Sequence, residues 1–382
     1  MADTRRVLVA PDKFKGSLAA VEVARHVAAG LRRAAPGTAV TTVPVADGGD
    51  GTVAAAVAAG YERREAVVTG PLGERRTARY ALGGDGTAVV EMAEASGLRL
   101  LPPGRLAPLT ATTYGTGELV RAALDAGART VVLGVGGSAT TDGGAGMLAA
   151  LGARFLDGAG RPLGPGGGPL AGLAEADLTG LDPRLARTRL VLAGDVDNPL
   201  TGPRGAAAVY GPQKGASAAD VATLDAALAH YAQVLDGGRL ADACGAGAAG
   251  GVGYAALAVL GAVFRPGIEV VLDVVGFGAA VAEADLVVTG EGSLDAQTLH
   301  GKAPVGVARA ARGVPVVAVC GRLALDAEAL AGAGIERAYA LSELEADPER
   351  CMALAGPLLE RLAAPDPWIM PGTVTKLPNQ NP

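Results

Sequence analysis

A glycine- and hydroxyl-rich turn is the part of the sequence best suited to hold an anion. From Thr130 to Gly146 the chain is TVVLGVGGSATTDGGAG, an apolar β-branched run followed by glycines and hydroxyl side chains. Glycine lets the backbone approach a ligand closely, and the free N–H groups at the start of a helix attract phosphate. The hydroxyls of Ser138, Thr140 and Thr141 would add neutral donors. We therefore expect a phosphate pocket here and a helix that begins in the segment 138–141.

Two other interpretations of this stretch stay open at this point. The plainer one is a strand-to-helix turn whose hydroxyl residues only cap the helix. The other is a dinucleotide-binding turn, because Gly134, Gly136 and Ala139 form a loose G-x-G-x-x-A pattern after a strand, and Asp157 follows about twenty residues later. A second G-x-G-x-x-G match begins at Gly245, but no strand pattern precedes it.

Lysine is scarce in this chain, so each lysine is a candidate for a specific role. The sequence has 33 cationic residues, and the lysines among them are Lys13, Lys15, Lys214, Lys302 and Lys376. A compact ammonium on a flexible stem suits tasks that the planar arginine fork does not. Lys13 and Lys15 lie in a turn between a strand at 7–10 and a helix predicted over 18–34, with Ser17 as its expected N-cap. The turn predicts an anion site, and the alternative is a solvated turn with surface charge.

Acidic residues follow several of the predicted strands. Asp47 and Asp50 lie among glycines after a strand at 41–46, and Asp195 and Asp197 follow a strand at 190–193. The carboxyl ends of parallel strands are where open α/β sheets bind ligands. Oxygen ligands of this kind suit a Mg²⁺ ion carried by a nucleotide, whereas the plainer interpretation is a set of tight turns.

Composition excludes several classes of protein. The net charge is −6 and no basic run occurs, which argues against a nucleic-acid partner. The three cysteines are too few and too widely spaced for a disulfide framework or a zinc site. We find no signal peptide and no apolar run of membrane length, so we expect a cytoplasmic protein with no membrane partner.

The order of strand and helix patterns predicts an α/β protein of two domains. Strands near residues 7, 41, 286, 315 and 338 would form a parallel five-stranded sheet, as in flavodoxin-like folds. Strands at 63–69, 75–82 and 87–92 alternate with hairpin turns and mark a large mixed α/β domain inserted after the second strand. We predict a parallel-sheet domain from 1–60 plus 283–362, an inserted domain over 61–282, and a disordered tail over 363–382.

A series of motifs occurs along the chain from about Val7 to Leu362. In order, they are APDKFKGSL, PVADGGDGT, EMAEASGL, YGTGEL, GVGGSATTDGGAGM, GDVDNPLTGPRGAA, YGPQKGA, GAGAAGG and TGEGSLDAQTLHGKAP. In sequence and order these motifs resemble the bacterial glycerate kinase family, of the glycerate 2-kinase type. The family implies ATP-dependent phosphorylation of D-glycerate to 2-phospho-D-glycerate, with Mg²⁺ as cofactor, on two α/β domains of which one is flavodoxin-like.

The resemblance also suggests roles for individual residues. The nucleotide phosphates would lie at Gly136, Gly137, Ser138, Ala139 and Thr140, with Lys214 or Lys302 as an added cation. The substrate would be held by Lys15, Ser17, Asp47 and Glu291. Asp195 is expected to be the general base or a Mg²⁺ ligand, with Asp47, Asp197 and Glu291 as competitors; Asp195 and Asp197 are the expected metal ligands, and Lys15 and Asp47 the further catalytic residues.

The alternatives to this function are a kinase that makes 3-phosphoglycerate and, in a different class, an NAD(P)-dependent hydroxy-acid dehydrogenase. The dehydrogenase would use the glycine turn with Asp157, but it leaves the lysine-bearing turns unexplained. A regulator that binds a sugar acid without catalysis would need a basic DNA-reading element, which the sequence lacks. For the assembly of the protein, a homodimer is the oligomer that we consider.

Overall fold

The structure is a computed structural model that describes residues 5–364, except the side chain of His300. The predicted tail 363–382 lies outside the described residues from position 365 onward. In chain order the strands are β1 (Arg6–Pro11), β2 (Ala39–Thr42), β3 (Glu62–Thr69), β4 (Arg75–Leu82), β5 (Thr87–Glu91), β6 (Thr130–Gly134), β7 (Arg154–Leu156), β8 (Glu175–Asp177), β9 (Arg189–Gly194), β10 (Val263–Pro266), β11 (Leu286–Leu294), β12 (Val316–Leu323) and β13 (Arg337–Ala340).

The helices connect these strands and cover the sheets. They are α1 (Ala20–Ala34), α2 (Thr52–Ala58), α3 (Ala93–Ser96), α4 (Tyr114–Asp125), α5 (Ala145–Ala150), α6 (Ala206–Tyr210), α7 (Ala218–Asp236), α8 (Ala248–Ala258), α9 (Gly267–Val274), α10 (Phe277–Ala282), α11 (Ala303–Ala310), α12 (Ala327–Gly332), α13 (Pro348–Ala353) and α14 (Ala355–Leu362). Within the described part of the chain, no helix has both the length and the hydropathy that a membrane span needs.

The chain divides into two compact units, and the first contains the five-stranded sheet. This unit comprises the described residues up to Ala46 and from Leu272 onward. Its strand order is β2-β1-β11-β12-β13, and every neighbouring pair is parallel, with Val7 opposite both Val40 and Leu286. The prediction of a parallel flavodoxin-like sheet with a long insertion after its second strand is therefore confirmed.

The strands of this sheet are apolar, so helices must cover them to keep them from water. Val7, Val9 and Val288 are all buried in one core with the inner sides of α1 and α14. A central parallel strand buried on both faces is a continuous apolar run, as in Val7-Leu8-Val9-Ala10. α1 and α14 pack closely because Gly30 has no side chain, and a Cβ there would lie 2.5 Å from the carbonyl oxygen of Glu360.

The second unit, Asp47–Val271, contains a mixed sheet of order β10-β9-β6-β5-β4-β3. The neighbours β10, β9, β6 and β5 are parallel, whereas β4 and β3 extend the sheet in antiparallel fashion, as the hairpin pattern predicted. A small antiparallel pair, β7 and β8, lies apart from this sheet. The parallel strands bring Glu91, Gly134 and Gly194 to one edge of the sheet, which positions the loops described next.

The second unit begins earlier than the sequence suggested. Residues 47–60, predicted to belong to the parallel-sheet domain, lie in the second unit, which runs from Asp47 to Val271 rather than over 61–282. The reason is that α2 packs against β4 and β5. The helix pattern of 52–58 was recognisable, but its sequence does not say which sheet it covers.

Candidate functional site

The glycine-rich turn after β6 does not lead directly into a helix. The prediction of a helix start within 138–141 is wrong, because α5 begins at Ala145, after Gly144 in the left-handed region with a φ of 75°. In the segment between β6 and α5, Ser138 forms an isolated antiparallel bridge with Gly97, and the N–H of Ala139 donates to the carbonyl of Ser96 at 2.9 Å. The extended pairing with 96–97 explains why the small residues do not start a helix earlier.

Asp142 holds the second half of this turn in place. Its carboxylate is fully buried and accepts hydrogen bonds from the N–H and hydroxyl of Thr113, both at 2.8 Å, and from the N–H groups of Gly144 and Gly146. Burial raises the pKa of Asp142, while these donors oppose the shift. Asp142 therefore ties the starts of α4 and α5 together and is not a group presented to a ligand.

The first half of the turn is open. Gly137 is exposed and Gly136 half-buried, while Ser138, Ala139 and Thr140 are buried. In the described part of the chain, no acceptor is found for the backbone N–H groups of Gly136, Gly137 and Ser138. Unpaired N–H groups at the carboxyl edge of a parallel sheet form an anion-binding concavity. Of the predicted phosphate ligands, Gly136 and Gly137 are thus the accessible ones.

Lys214 lies beneath this turn and not at its surface. Its side chain is 1% exposed, and its Nζ donates to the carbonyl oxygen of Thr140 at 2.6 Å. Burial lowers the pKa of Lys214 to about 7, and the neighbouring Asp142 carboxylate partly opposes this shift. The hydroxyls of Thr140 and Thr141 are also buried, without a hydrogen-bond partner among the described residues.

The loop that carries Asp47 crosses the same sheet edge by backbone contact. A Cβ at Gly134 would lie 2.5 Å from the carbonyl oxygen of Gly48, and a Cβ at Gly136 would lie 2.6 Å from the Cα of Gly49. The Asp47 carboxylate accepts from the N–H of Gly49 at 3.2 Å. Since larger side chains would not fit at these contacts, the glycines bring Asp47 beside the phosphate turn.

Asp195 and Asp197 are exposed directly after β9. Asp197 forms an ion pair with Arg204 at 3.4 Å. Nearby, Asn198 accepts from the Tyr210 hydroxyl at 2.5 Å and donates to the carbonyl of Arg204 at 2.8 Å. Burial, together with the charges of Asp195 and Asp197, raises the pKa of Tyr210. Asp195 thus follows the strand next to β6, on the same edge as the phosphate turn.

Glu91 is an acidic residue of this edge that the sequence analysis left out of the site. It ends β5, is buried, and accepts from the N–H of Val53 at 2.6 Å, so that it caps the start of α2. Asp50 forms an ion pair with Arg99. Burial raises the pKa of Glu91 to about 7, and the charges of Asp50 and Glu94 add to the rise. A carboxylate directly after the apolar run TAVV was the signal for it.

The second glycine motif packs against the phosphate turn. Residues 249–251 interrupt α8 with positive φ angles, including Ala249 at 54°. A Cβ at Gly250 would collide with the carbonyl oxygen of Thr140, and the carbonyl of Gly250 accepts from the N–H of Gly143 at 3.0 Å. The motif therefore supports the turn from behind.

Neither glycine motif has the form of a dinucleotide-binding turn. Such a turn needs a strand before it and a helix directly after it. The helix after β6 begins only at Ala145, and the element before Gly245 is the helix α7 rather than a strand. Asp157, the acidic residue of the dinucleotide-binding interpretation, lies in a tight turn and accepts from Arg161 and from the N–H of Ala159 at 2.9 Å. The dehydrogenase interpretation loses its structural basis.

A second cluster lies in the first unit, after β1 and β11. Lys15 is exposed, and the turn that carries it passes close to Gly292, where a Cβ would lie 3.3 Å from the N atom of Lys15. The predicted N-cap Ser17 does not cap α1: its hydroxyl donates to the carbonyl of Met352 at 2.6 Å. α1 begins after Ala19, whose N–H donates to Glu22 at 2.9 Å.

Glu291 lies within β11, and Lys302 follows this strand in the chain, at the start of α11. Glu291 is buried and accepts from the Thr298 hydroxyl at 2.5 Å. Lys302 occupies the N-cap position of α11, and its Nζ donates to the side-chain oxygen of Gln297 at 3.3 Å. Lys15 and Lys302 are accessible cations of this unit, in contrast to the buried Lys214.

The structure therefore brings the predicted residues together in two groups, one in each unit. Asp47, Asp195, Asp197 and the turn 136–140 lie at the carboxyl edge of the second unit's sheet, whereas Lys15, Ser17, Glu291 and Lys302 lie in the first unit. Across residues 5–364, no group of three or more His, Cys, Asp or Glu side chains is arranged to hold a metal ion.

Comparison of the sequence with known proteins matches the chain to one family. The model of the glycerate kinase family covers residues 7–365. The glycerate kinase of Bacillus subtilis (strain 168) is 49% identical, over 94% of this chain and 96% of that protein, and the glycerate 2-kinase of Escherichia coli (strain K12) is 46% identical, over 88% and 90%.

A solved structure extends the match to the fold. A crystal structure described as a glycerate kinase 2 from Salmonella typhimurium LT2 superposes with a TM-score of 0.81 at 44% identity, over 95% of this chain and 98% of that one. The match covers both units and the motifs that build the phosphate turn. The chain belongs to the glycerate kinase family.

Proposed function

We propose that this protein transfers the γ-phosphoryl group of ATP to D-glycerate and releases 2-phospho-D-glycerate and ADP. The observation that carries this proposal is the 46% identity, over 88% of the chain, to a protein named glycerate 2-kinase. The same relative favours the 2-hydroxyl over the 3-hydroxyl as the acceptor. The acceptor oxygen attacks the γ-phosphorus, the bond to the β-phosphate oxygen breaks, and the hydroxyl proton passes to a carboxylate.

The glycine turn supports nucleotide binding in this proposal. The accessible N–H groups of Gly136 and Gly137, together with the unpaired N–H of Ser138, would hold phosphate oxygens. Ala139 and Thr140 are buried, so in our proposal they fix the shape of the turn. Lys214 supports the Thr140 carbonyl from below, and Lys302, at the N-cap of α11, is the accessible candidate for a cation that neutralises the nucleotide.

Asp195 and Asp197 fit a nucleotide-bound Mg²⁺. Magnesium at such sites is held by only one or two carboxylates, together with phosphate oxygens and water. Two exposed carboxylates after one strand meet this requirement, which explains why a cluster of three protein ligands is not needed. When bound, the ion would neutralise charge on the transferred phosphoryl group.

The remaining roles concern the acceptor. We propose Asp195 as the general base or as a ligand of the ion, with Asp47 as the second candidate for the base, because both carboxylates lie at the edge that carries the phosphate turn. Lys15 is the proposed partner of the glycerate carboxylate or of the transferred phosphoryl group. Ser17 and Glu291 already hydrogen-bond to Met352 and Thr298, so they would serve the substrate through their remaining capacity.

A coupled assay for ADP release with D-glycerate, ATP and Mg²⁺ tests the reaction. Phosphorus NMR of the product distinguishes the phosphate on the 2-hydroxyl from that on the 3-hydroxyl. We expect turnover to 2-phospho-D-glycerate that requires all three components. Formation of 3-phosphoglycerate would overturn the assigned position, and the absence of ADP release would overturn the proposed reaction.

A further inference from the structure

The second unit contains a cavity of about 590 Å³ to which no role has been assigned above. Its size falls within the range of about 300 to 1,000 Å³ that is typical of small-molecule sites. The walls come from the β3–β4 turn, the loop before α4, the first turns of α4 and α5, and the loop after β7. The lining includes Pro71, Tyr114, Gly146, Ala149, Phe155 and Pro165.

The chemistry of the walls suits a flat, largely apolar ring system with polar edges. Rings of Tyr114 and Phe155 and two prolines provide apolar surface, and the hydroxyls of Thr110 and Thr112 provide a few polar contacts. Arg105 lies in the lining as well, is exposed, and forms no ion pair within residues 5–364. A guanidinium in that state stacks on aromatic rings and binds phosphate.

One stretch of chain links the cavity to the segment that we propose for phosphate binding. Ala145 and Gly146 line the cavity, and they follow Gly136 and Gly137 in the same connection between β6 and α5. α4 and α5 both begin at the carboxyl edge of the sheet, because each follows a parallel strand. The wall and the turn are also joined by Asp142, which binds the N–H groups of Thr113 and Gly146.

A second contact joins the cavity to the support of the turn. Gly167, next to the wall residue Gly166, lies so close to Thr141 that a Cβ there would collide with its carbonyl oxygen. Leu106, another wall residue, packs on Gly215, where a Cβ would lie 2.6 Å from the Leu106 Cβ. Gly215 directly follows Lys214, which holds the Thr140 carbonyl.

We propose that this cavity receives the purine base of the nucleotide, with Tyr114 and Phe155 as its aromatic walls. The inference rests on the proposed use of ATP and adds to it the site of the base. In this arrangement the base lies at the starts of α4 and α5, and the phosphates extend toward Gly136 and Gly137. Arg105 binds the nucleotide at the mouth of the cavity.

Filling the cavity provides the test. Ala149→Phe places a ring in the lining, and Ala219→Phe, on an exposed position of α7 outside the lining, is the matched control. Calorimetry with ADP and, separately, with inorganic pyrophosphate separates the base from the phosphates. We expect Ala149→Phe to weaken ADP binding by about tenfold or more and to leave pyrophosphate binding within about twofold of the wild type, because only the ring subsite is blocked.

Three results would overturn the proposal. They are equal ADP affinity in Ala149→Phe and the wild type, an equal loss of ADP and pyrophosphate binding, and an Ala219→Phe control that loses ADP binding to the same extent. If Ala149→Phe does not fold, photolabelling of the wild-type chain with 8-azido-ADP decides: labelled peptides should come from residues 105–114 or 163–170, and labels confined to other segments would exclude the cavity.

The same data separate this inference from the proposed reaction. If the wild type phosphorylates glycerate and Ala149→Phe binds ADP as the wild type does, the proposed reaction is supported and the proposed purine site in the cavity is overturned. Conversely, if Ala149→Phe weakens ADP binding but the wild type does not phosphorylate glycerate, the purine site is supported and glycerate is overturned as the substrate.

Discussion

The ammonium group of Lys214 donates a hydrogen bond of 2.6 Å to the carbonyl oxygen of Thr140, with both residues buried. A scarce residue type is thus used inside the protein, under a turn, and not at its surface. This hydrogen bond holds the turn 136–141 in place, and the backbone of Gly250 packs against the same carbonyl of Thr140. Both contacts lead to measurable expectations.

Lys214→Met should change how stability depends on pH. The pKa of Lys214 is about 7 in the folded protein and 10.5 ordinarily, so between these values the unfolded chain binds one more proton. The contribution of Lys214 to the free energy of unfolding therefore rises with pH through this window and is lost as the pH falls through about 7. Urea unfolding at about pH 7 and about pH 9 should show a gain of the order of 2 kcal/mol in the wild type that Lys214→Met lacks. Lys302→Met, at a half-buried position, should keep the wild-type gain; an equal gain in all three proteins would contradict the role of Lys214.

Gly250→Ala should destabilise the second unit more than Gly238→Ala does. Gly250 has a φ of 72°, and a Cβ would collide with the Thr140 carbonyl. Gly238 has a φ of 74° but open space around it, so Gly238→Ala carries the same backbone strain without the collision. We expect Gly250→Ala to lose about 1 to 3 kcal/mol more than Gly238→Ala in thermal or urea unfolding. Equal losses would show that the motif does not depend on its contact with the turn.

Asp195→Asn should remove most of the turnover. An amide cannot accept the hydroxyl proton or neutralise Mg²⁺, so kcat should fall by about 100-fold or more. Asp157→Asn is the control, because Asp157 holds a surface turn through Arg161 and has no role in the proposed reaction. Steady-state kinetics on both variants should show the loss only in Asp195→Asn. A small loss there would transfer the role of base to Asp47.

Lys15→Ala should impair the use of D-glycerate without unfolding the protein. The side chain is exposed, so its removal leaves the packing of the first unit intact. Loss of one charge-assisted contact predicts a decrease in kcat/KM for D-glycerate of about 10- to 100-fold. Lys15→Arg keeps the charge in a different shape and should recover part of this loss. Wild-type kinetics in Lys15→Ala would remove the residue from the site, and a lowered Tm would point to a structural role.

The fold was predictable wherever apolar runs and turn residues agreed. The strand at Val7 and the strand at Leu286 have the same buried β-branched pattern, and the structure pairs them in parallel. The hairpins of β3, β4 and β5 could be located from their turn residues for the same reason. The boundary between the two units was not predictable in this way. Whether residues 47–60 belong to the first unit or the second depends on which sheet α2 packs against, and no local sequence pattern encodes that packing.

The site was less predictable because it depends on contacts between distant segments. Ser138 looked like a helix start, but pairing with Gly97 keeps it extended. Lys214 was proposed as an added cation for the nucleotide phosphates, and only the structure shows that it is buried against the carbonyl of Thr140. Glu91 was quoted within a motif but not chosen, since its role as the cap of α2 requires Val53, which is distant in sequence.

The insertion after β2 also sets the order in which the protein can be completed during its synthesis. The second unit is continuous from Asp47 to Val271, whereas β1 needs β11, which the ribosome adds only after that unit is finished. Domains generally fold as units as they emerge, and pairings that are distant in sequence form slowly. The nascent chain therefore carries β1 and β2 with one side of β1 unpaired for the time it takes to translate the whole second unit. For that period the apolar strand at Val7 keeps an unpaired edge, and such an edge is prone to pair with other chains.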